Sequence, residues 1–369
     1  MNREPALRRF SPSQLINDPL YHVNLVLWML QPATGAGVEP LLQRAGYQLF
    51  QIEPELSFPV ELTVSLQRNG IAHSQPVNPD LLLSSAAGEY IPLECKSRMF
   101  GSQPQPGGGD SQVKQARSLL LLAPSILNSA LAFQAGQVKS SHVLYLSVHE
   151  PSVPQTKGLA EITKELRKKE YQTAPFGLLA LGVTEDAIVL HSKNRPGKLP
   201  NPLVKLMGKD GVAKIQPIAD ERTDPRPLYH LPWMPDNQST DDSYSQQAFA
   251  NRIFAAAVTE IGPCKPPCEI TLNIETLLNA ATNKFYLHWR DKTVRKQLQK
   301  RAKELLRNKL KEALPGLTFT SLLQPDIGWR FQLVDEKSHR RAIEVLRKGE
   351  DTEWNRPISQ PSLFPEDDE

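Results

Sequence analysis

Several features that would place the chain in a special class are scarce or missing. Its 369 residues include three cysteines, which are too few for a disulfide framework and indicate a reducing compartment. No apolar run approaches the roughly 18 residues that a membrane-spanning helix needs. The first five residues carry no apolar leader. We therefore expect a cytoplasmic protein with no membrane contact.

An excess of charge of one sign is also missing. Lys and Arg total 43 against 40 Asp and Glu, a net charge of +3, so any surface that attracts nucleic acid must be local. No Gly-x-x-x-x-Gly-Lys loop occurs, so the chain itself is not expected to hydrolyse ATP. With 40% hydrophobic and 22% charged residues, the composition predicts a folded chain with a core.

The pattern of apolar residues and turn signals predicts an α/β protein of two domains. Residues 1–235 form the first domain, with its core at about 33–150, and 236–244 form a linker. Residues 245–349 form a smaller, basic α+β domain, and 350–369 form an acidic disordered tail. A helix is predicted before the core, at 13–31. The elements predicted in the core are helices at 39–45 and 111–122, and strands at 47–52, 61–67, 80–84, 90–96 and 142–149.

The most informative stretch is Asn-Pro-Asp-Leu-Leu-Leu at 78–83, followed by a turn and by Ile-Pro-Leu-Glu-Cys-Lys at 91–96. Because side chains alternate along a strand, Glu94 and Lys96 share one face and Cys95 lies on the other. A turn at 85–88 sets Asp80 opposite Leu93, whereas a shift of one residue sets Asp80 opposite Glu94. Two carboxylates about 5 Å apart do not both ionise without a cation between them, so the shifted register predicts a Mg²⁺ or Mn²⁺ site.

Two considerations keep a plainer interpretation open. Pro92 fits poorly in a central strand and is expected at the start of the strand or at a bulge. The alternative to a metal site is that Asp80 caps a turn, while Glu94 and Lys96 form an ion pair on a solvated face of the sheet.

Pro79-Asp80, thirteen further residues and then Glu94-Cys95-Lys96 resemble the signature of the PD-(D/E)xK nuclease superfamily. The resemblance covers about 33–150. It implies a restriction-endonuclease-like core, with a mixed sheet flanked by helices, and metal-dependent hydrolysis of phosphodiester bonds in DNA. It also implies that Asp80, Glu94 and the carbonyl of Cys95 bind Mg²⁺ or Mn²⁺, with Lys96 as the catalytic lysine.

The same resemblance implies a glutamine on the helix that follows the lysine and a further acid on the first helix. Gln115 fits the first requirement as a catalytic-site residue, with Gln112 one turn earlier. Glu39 is the best candidate for the additional acid, and Glu55 and Glu61 are alternatives.

The biological setting that the resemblance implies is bacterial restriction or anti-phage defence. The expected partners are DNA and a separate ATPase, helicase or other defence subunit, while RNA or branched junctions stay open as substrates. The alternative from another class is a non-catalytic subunit that binds nucleic acid or assembles a complex.

A long basic helix is predicted at 292–314. Apolar residues form one stripe along it, and cations recur every three or four residues on another side over about 28 Å. We call these cations the basic ridge: Lys292, Lys296, Lys300, Lys303, Arg307 and Lys311. Such a ridge suits the phosphates of nucleic acid. An ordinary solvated face or a surface for an acidic protein are the alternatives.

Two cysteines and one histidine are weaker candidates for a functional site. Cys264 and Cys268 are too few for a structural zinc site, which needs four ligands, so loop cysteines are expected. His73 lies in the loop before Asp80 and is a minor candidate for the site.

Overall fold

The computed structural model describes residues 16–32, 37–96, 110–148, 152–192, 198–217, 229–232, 243–289, 291–321 and 328–350. The chain divides into two compact units. The first comprises Met1–Arg222 with His288–Asp291, and the second comprises Thr223–Leu287 with Lys292–Glu369. The predicted linker lies almost wholly outside the described residues, as does the tail after 350, so both stay predictions. The sequence did not predict that His288–Asp291 belong to the first unit.

A mixed sheet of eight strands, counted over the described residues, forms the centre of the first unit. Its order is β1-β2-β3-β5-β6-β7-β8, with β4 beside β3. Strands β3 to β6 run parallel to one another, and the other pairs are antiparallel. The predicted α/β class with a mixed sheet is therefore confirmed. The strands are β1 (Tyr47–Ile52), β2 (Leu81–Ser85), β3 (Glu89–Lys96), β4 (Ser140–Ser141), β5 (Val143–Val148), β6 (Phe176–Val183), β7 (Ala187–Ser192) and β8 (Val212–Pro217).

Helices flank this sheet. They are α1 (Pro19–Met29), α2 (Leu41–Arg44), α3 (Val60–Arg68), α4 (Ser111–Leu120), α5 (Pro124–Ala130), α6 (Ser152–Lys168) and α7 (Asn201–Leu206). One apolar core joins α4, α5 and α6 to the sheet residues Leu82, Tyr145 and Leu178. The helix predicted at 13–31 begins only at Pro19, because the Asp18 side chain accepts a hydrogen bond from the N–H of Leu20 and caps it.

The predictions for two segments were wrong. The strand predicted at 61–67 is helix α3, whose Val60 and Val64 are exposed at 73% and 37% while Leu66 is buried. A short run of alternating apolar and polar residues fits both periods, and Pro59 before it favours a helix start. Pro92 lies in the interior of β3, level with Leu82. It falls between the segment that pairs with β4 and the segment that pairs with β5.

The second unit combines helices with a three-stranded antiparallel sheet of order β10-β11-β9. Its helices are α8 (Ser243–Ile261), α9 (Ile274–Ala281), α10 (Lys292–Ala313) and α11 (Glu336–Glu350), and its strands are β9 (Cys268–Asn273), β10 (Thr320–Ser321) and β11 (Gly328–Leu333). Cys264 and Cys268, expected as two loop cysteines, are joined in a disulfide.

Candidate active site

The register of the β2–β3 hairpin brings Asp80 level with Glu94. Leu81 pairs with Leu93, so the same pairing continued by one residue sets Asp80 opposite Glu94. Of the two registers that the sequence leaves open, the structure adopts the shifted one. The two carboxylates therefore come from neighbouring ends of adjacent strands.

Glu94 is almost fully enclosed, with 2% of its surface exposed. Its Oε1 accepts hydrogen bonds from Nζ of Lys96 at 2.6 Å and from Nε2 of Gln115 at 2.9 Å. Its Oε2 is buried and has no hydrogen-bond partner in the described part of the chain. Leaving a buried polar atom unsatisfied costs about 1–3 kcal/mol. Oε2 is therefore a ready acceptor for a proton donor or a cation.

Gln115 joins the helix layer to the strand. Asp110 caps α4 by accepting a hydrogen bond from the N–H of Gln112 at 2.9 Å, which fixes where the helix begins. Four residues into that helix, Oε1 of Gln115 accepts a hydrogen bond from Nζ of Lys96 at 3.0 Å. The side chains of Glu94, Lys96 and Gln115 thus form a closed set of three hydrogen bonds. Lys96 keeps 22% of its side chain exposed, so the set opens to solvent at the ammonium group.

Main-chain groups hold Asp80 in place. Its Oδ2 accepts a hydrogen bond from the N–H of Cys95 at 2.6 Å, and its carbonyl accepts one from the N–H of Glu53 at 2.9 Å. Glu53, which follows β1, adopts a positive φ of 45° as the chain turns away from the sheet. Within the described residues, the carboxylate oxygen of the site that is buried and lacks a partner is Oε2 of Glu94.

Burial and like charge set the protonation of the site. Burial raises the pKa of Glu94, and the negative charge of Asp80 raises it further, to about 8, against the opposing effects of Lys96 and Gln115. Burial also raises the pKa of Asp80, although the hydrogen bond from Cys95 and the charge of Lys96 oppose it. Burial disfavours the charge of Lys96, but Glu94 and Asp80 outweigh burial and raise its pKa. Two carboxylates that resist joint ionisation become compatible when a divalent cation lies between them.

The oxygen atoms of this site are of the kind that a hard divalent cation prefers, and the protein supplies few of them. The described residues contain no group of three or more His, Cys, Asp or Glu side chains that could hold a metal ion. The protein would supply carboxylate oxygens from Asp80 and Glu94 and the carbonyl oxygen of the buried Cys95. Mg²⁺ and Mn²⁺ prefer oxygen ligands, and Mg²⁺ usually keeps several waters and is held by one or two carboxylates together with substrate phosphate. This site therefore suits such an ion better than zinc.

Sequence analysis missed two residues of β5. Glu94 pairs with Tyr145 and Lys96 pairs with Ser147 along the parallel β3–β5 ladder, so the side chains of Tyr145 and Ser147 share the face of Glu94 and Lys96. Burial raises the pKa of Tyr145, and the charges of Glu94 and Asp80 raise it further. Ser147 is fully buried, and its Oγ has no hydrogen-bond partner among the described residues. Two polar residues at alternating positions of an otherwise apolar strand were the available signal.

The structure does not bring the remaining candidates to these carboxylates. Glu39 forms an ion pair with Arg44, and its N–H donates to the carbonyl of Ile215 on β8, four strands from β3 in the sheet order. The segment before α2 is therefore bonded to the edge strand β8, and Glu39 forms no hydrogen bond or ion pair with Asp80 or Glu94 among the described residues. Three other candidates form no hydrogen bond or ion pair with Asp80 or Glu94 within the described residues: Glu55, Glu61 and His73. Gln112 contributes only its backbone N–H to the Asp110 cap.

The basic ridge lies on α10 in the second unit. Val294, Leu298 and Ala302 belong to the buried stripe of this helix, and the ridge residues are exposed except for the half-buried Lys303. Four of the ridge cations line a groove of about 470 Å³ beside Trp329 of β11: Lys296, Lys300, Lys303 and Arg307. The groove contains one acid, Glu304, so its charge is strongly positive.

Comparison with protein-family models, with curated proteins and with solved structures gave no match. Among the described residues, no helix combines the length and the apolar character that crossing a membrane requires.

Proposed function

We propose that this chain is a metal-dependent nuclease that hydrolyses phosphodiester bonds in DNA, with Asp80, Glu94, Lys96 and Gln115 at its active site. One observation carries the proposal. The carboxylates of Asp80 and Glu94 come from opposed positions of the β2–β3 hairpin, Oε2 of Glu94 is buried without a partner among the described residues, and Nζ of Lys96 lies 2.6 Å from Oε1 of Glu94. This set matches the residues that the PD-(D/E)xK resemblance selects.

Each side chain has a definite role in this proposal. A bound Mg²⁺ or Mn²⁺ supplies Lewis-acid chemistry at a phosphate oxygen. Asp80 and Glu94 provide the oxygens that hold the ion. Lys96, held by Glu94 and Gln115, directs its ammonium group at the negative charge that develops on the phosphate. Gln115 keeps Lys96 and Glu94 in one geometry through its two hydrogen bonds.

The test is cleavage of supercoiled and linear DNA with added Mg²⁺ or Mn²⁺ and with EDTA. Asp80→Asn and Glu94→Gln should abolish cleavage while the protein stays folded, and Lys96→Ala should lose most of the rate. Glu185→Gln removes an exposed acid of the same unit and should leave cleavage unchanged. Normal cleavage by folded Glu94→Gln protein would overturn the proposal. Parallel assays with RNA and with branched DNA decide the substrate class.

The positive groove along α10 favours a second candidate function, a nucleic-acid-binding subunit without catalysis. It predicts salt-dependent binding of duplex DNA and no cleavage under any metal condition. In either case, a role in restriction or anti-phage defence, with an ATPase or helicase partner, is a proposal that follows from the resemblance alone. Copurification with such a partner would test it.

A further inference from the structure

A second positively charged groove lies in the first unit, away from the β2–β3 hairpin that carries Asp80 and Glu94. Its volume is about 750 Å³, and its walls are the end of α6, the start of β6 and the segment at residue 198. Four cations line it: Lys164, Arg167, Lys168 and Lys198. No acid lines the groove, and none of the four cations forms an ion pair within the described residues.

The helix wall of the groove follows from helical spacing. Lys164, Arg167 and Lys168 are three and four residues apart, so they project from one side of α6. On another side of α6, Glu165 forms an ion pair with Arg117 of α4 at 3.1 Å, and the Arg117 side chain is fully buried. Glu165 is therefore engaged inside the protein, while Lys164, Arg167 and Lys168 face solvent. The other acid of α6, Glu161, is exposed but does not line the groove.

The opposite wall is held by the main chain. The N–H of Lys198 donates to the carbonyl of Phe176 at 2.9 Å, and the carbonyl of Lys198 accepts a hydrogen bond from Nε2 of His142 at 2.6 Å. Gly177 allows this close approach, because an added Cβ there would lie 2.7 Å from the Lys198 carbonyl oxygen. The backbone of Lys198 is therefore fixed against β6, which keeps its side chain beside those of α6.

The sheet topology gives the distance between this groove and the candidate active site. Lys96 pairs with Ser147, which pairs with Ala180, and the groove begins four residues earlier at Phe176. Four residues along a strand and two strand spacings amount to roughly 15–20 Å. The pairing of Glu165 with Arg117 shows that α6 lies in the same layer as α4, which carries Gln115. The groove and the site therefore belong to one side of the sheet.

We infer that this groove binds the phosphate backbone of the nucleic-acid substrate at a distance from the cleaved bond, an inference that rests on the proposed function. Exposed cations without acids complement phosphates and carry no base specificity. At 3.4 Å per base pair, a separation of roughly 15–20 Å corresponds to about five base pairs. A duplex bound at the candidate active site and running along α6 would place the phosphates that flank the cleaved bond in the groove.

The test is binding of fluorescent DNA duplexes in EDTA, where cleavage does not interfere. The groove variant carries Lys164→Gln, Lys168→Gln and Lys198→Gln. Each phosphate contact adds about 0.9 to the slope of log affinity against log salt, so the variant should show a slope flatter by up to about 2–3. The affinity of the wild type for DNA should also rise with duplex length until the duplex spans both the candidate active site and the groove. The groove variant should not show this rise.

Two control proteins keep the result interpretable. A variant with Lys139→Gln, Lys205→Gln and Lys209→Gln removes the same charge from exposed positions of the same unit outside the groove, and it should keep the wild-type slope. A variant with Lys164→Arg, Lys168→Arg and Lys198→Arg should also keep the slope, because it retains the charge. Equal slopes for the groove variant and the Lys139 control would overturn the inference.

A competition arm separates the two sources of phosphate. Tripolyphosphate serves as a probe for small phosphate ligands. One outcome is that the wild type binds tripolyphosphate, the groove variant does not, and both proteins bind the duplex equally well. In that case the groove serves a small phosphate ligand, and the inference is wrong. The readout is binding, so a wild-type protein that cleaves no DNA would defeat the proposed function and leave the slope comparison valid.

Discussion

Gln115 donates a 2.9 Å hydrogen bond to Oε1 of Glu94 and thereby links helix α4 to the end of strand β3. The same amide group accepts from Lys96. One side chain thus fixes both an acid and a base of the candidate site, which makes it the most direct position at which to perturb the geometry without removing a charge.

Replacing Gln115 by Ala should lower the rate of cleavage and leave the fold intact. A hydrogen bond to a charged group contributes about 1.5–3 kcal/mol, so kcat should fall roughly 10- to 100-fold. The measurement is kcat and KM at saturating Mg²⁺. Ser111→Ala, an exposed change on the same helix, is the control. An unchanged kcat for Gln115→Ala would show that this glutamine does not organise the site.

The raised pKa of Glu94 should make the stability of the metal-free protein depend on pH. Its pKa is about 8 in the folded protein against an ordinary 4.5, so the folded state holds this proton more tightly than the unfolded state. The contribution of protonated Glu94 to the free energy of unfolding is therefore complete below about pH 4.5, and it is lost as the pH rises through about 8. Glu94→Gln should flatten the fall in Tm between pH 5 and 9, and Glu185→Gln should not. Parallel curves for wild type and Glu94→Gln would refute the assignment.

Binding of the metal should release a proton at neutral pH. A carboxylate must be ionised to ligate a cation, and Glu94, with a pKa of about 8, is largely protonated at pH 7. We expect close to one proton released per Mn²⁺ at pH 7 and fewer at pH 9. Calorimetry in two buffers of different ionisation heat measures this number. Binding heats that do not depend on the buffer would contradict the prediction.

Ser147 separates a structural role from a functional one. Its buried Oγ has no partner within the described residues, so Ser147→Ala removes an unsatisfied group and should leave Tm equal or slightly higher. If the hydroxyl contacts the substrate or its water, cleavage should nevertheless fall, by about 10-fold for one lost hydrogen bond. Melting curves and kcat are measured on the same preparation. A lowered Tm with unchanged kcat would assign Ser147 to the core alone.

The basic ridge gives a prediction in the second unit. Lys296→Gln together with Lys300→Gln should weaken duplex binding without changing sequence preference, and should flatten the salt slope by up to about 2. Lys265→Gln with Lys284→Gln removes equal charge from exposed positions of the same unit. This control should keep the wild-type affinity and salt slope. Superimposable salt curves for wild type and ridge variant would shift the role of the ridge to a protein partner.

Local properties of the chain determined much of the site. The alternation along β3 puts Glu94 and Lys96 on one face in any register, because a period of two belongs to the strand itself. The Asp110 cap and the helical repeat place Gln115 on the next helix. The segment at 61–67 shows the limit of such reasoning, since seven residues fit both periods and the tertiary structure made them helical.

The sequence by itself determined which residues are acidic, which strands carry them and which side chains share a face. Only the tertiary structure decided that Asp80 stands opposite Glu94, that Glu39 joins β8, and that Tyr145 and Ser147 complete the site. The physical reason is that strand register and sheet order depend on hydrogen bonds and packing between segments far apart in the chain. The groove beside Lys198 has the same origin, because three separate segments meet there.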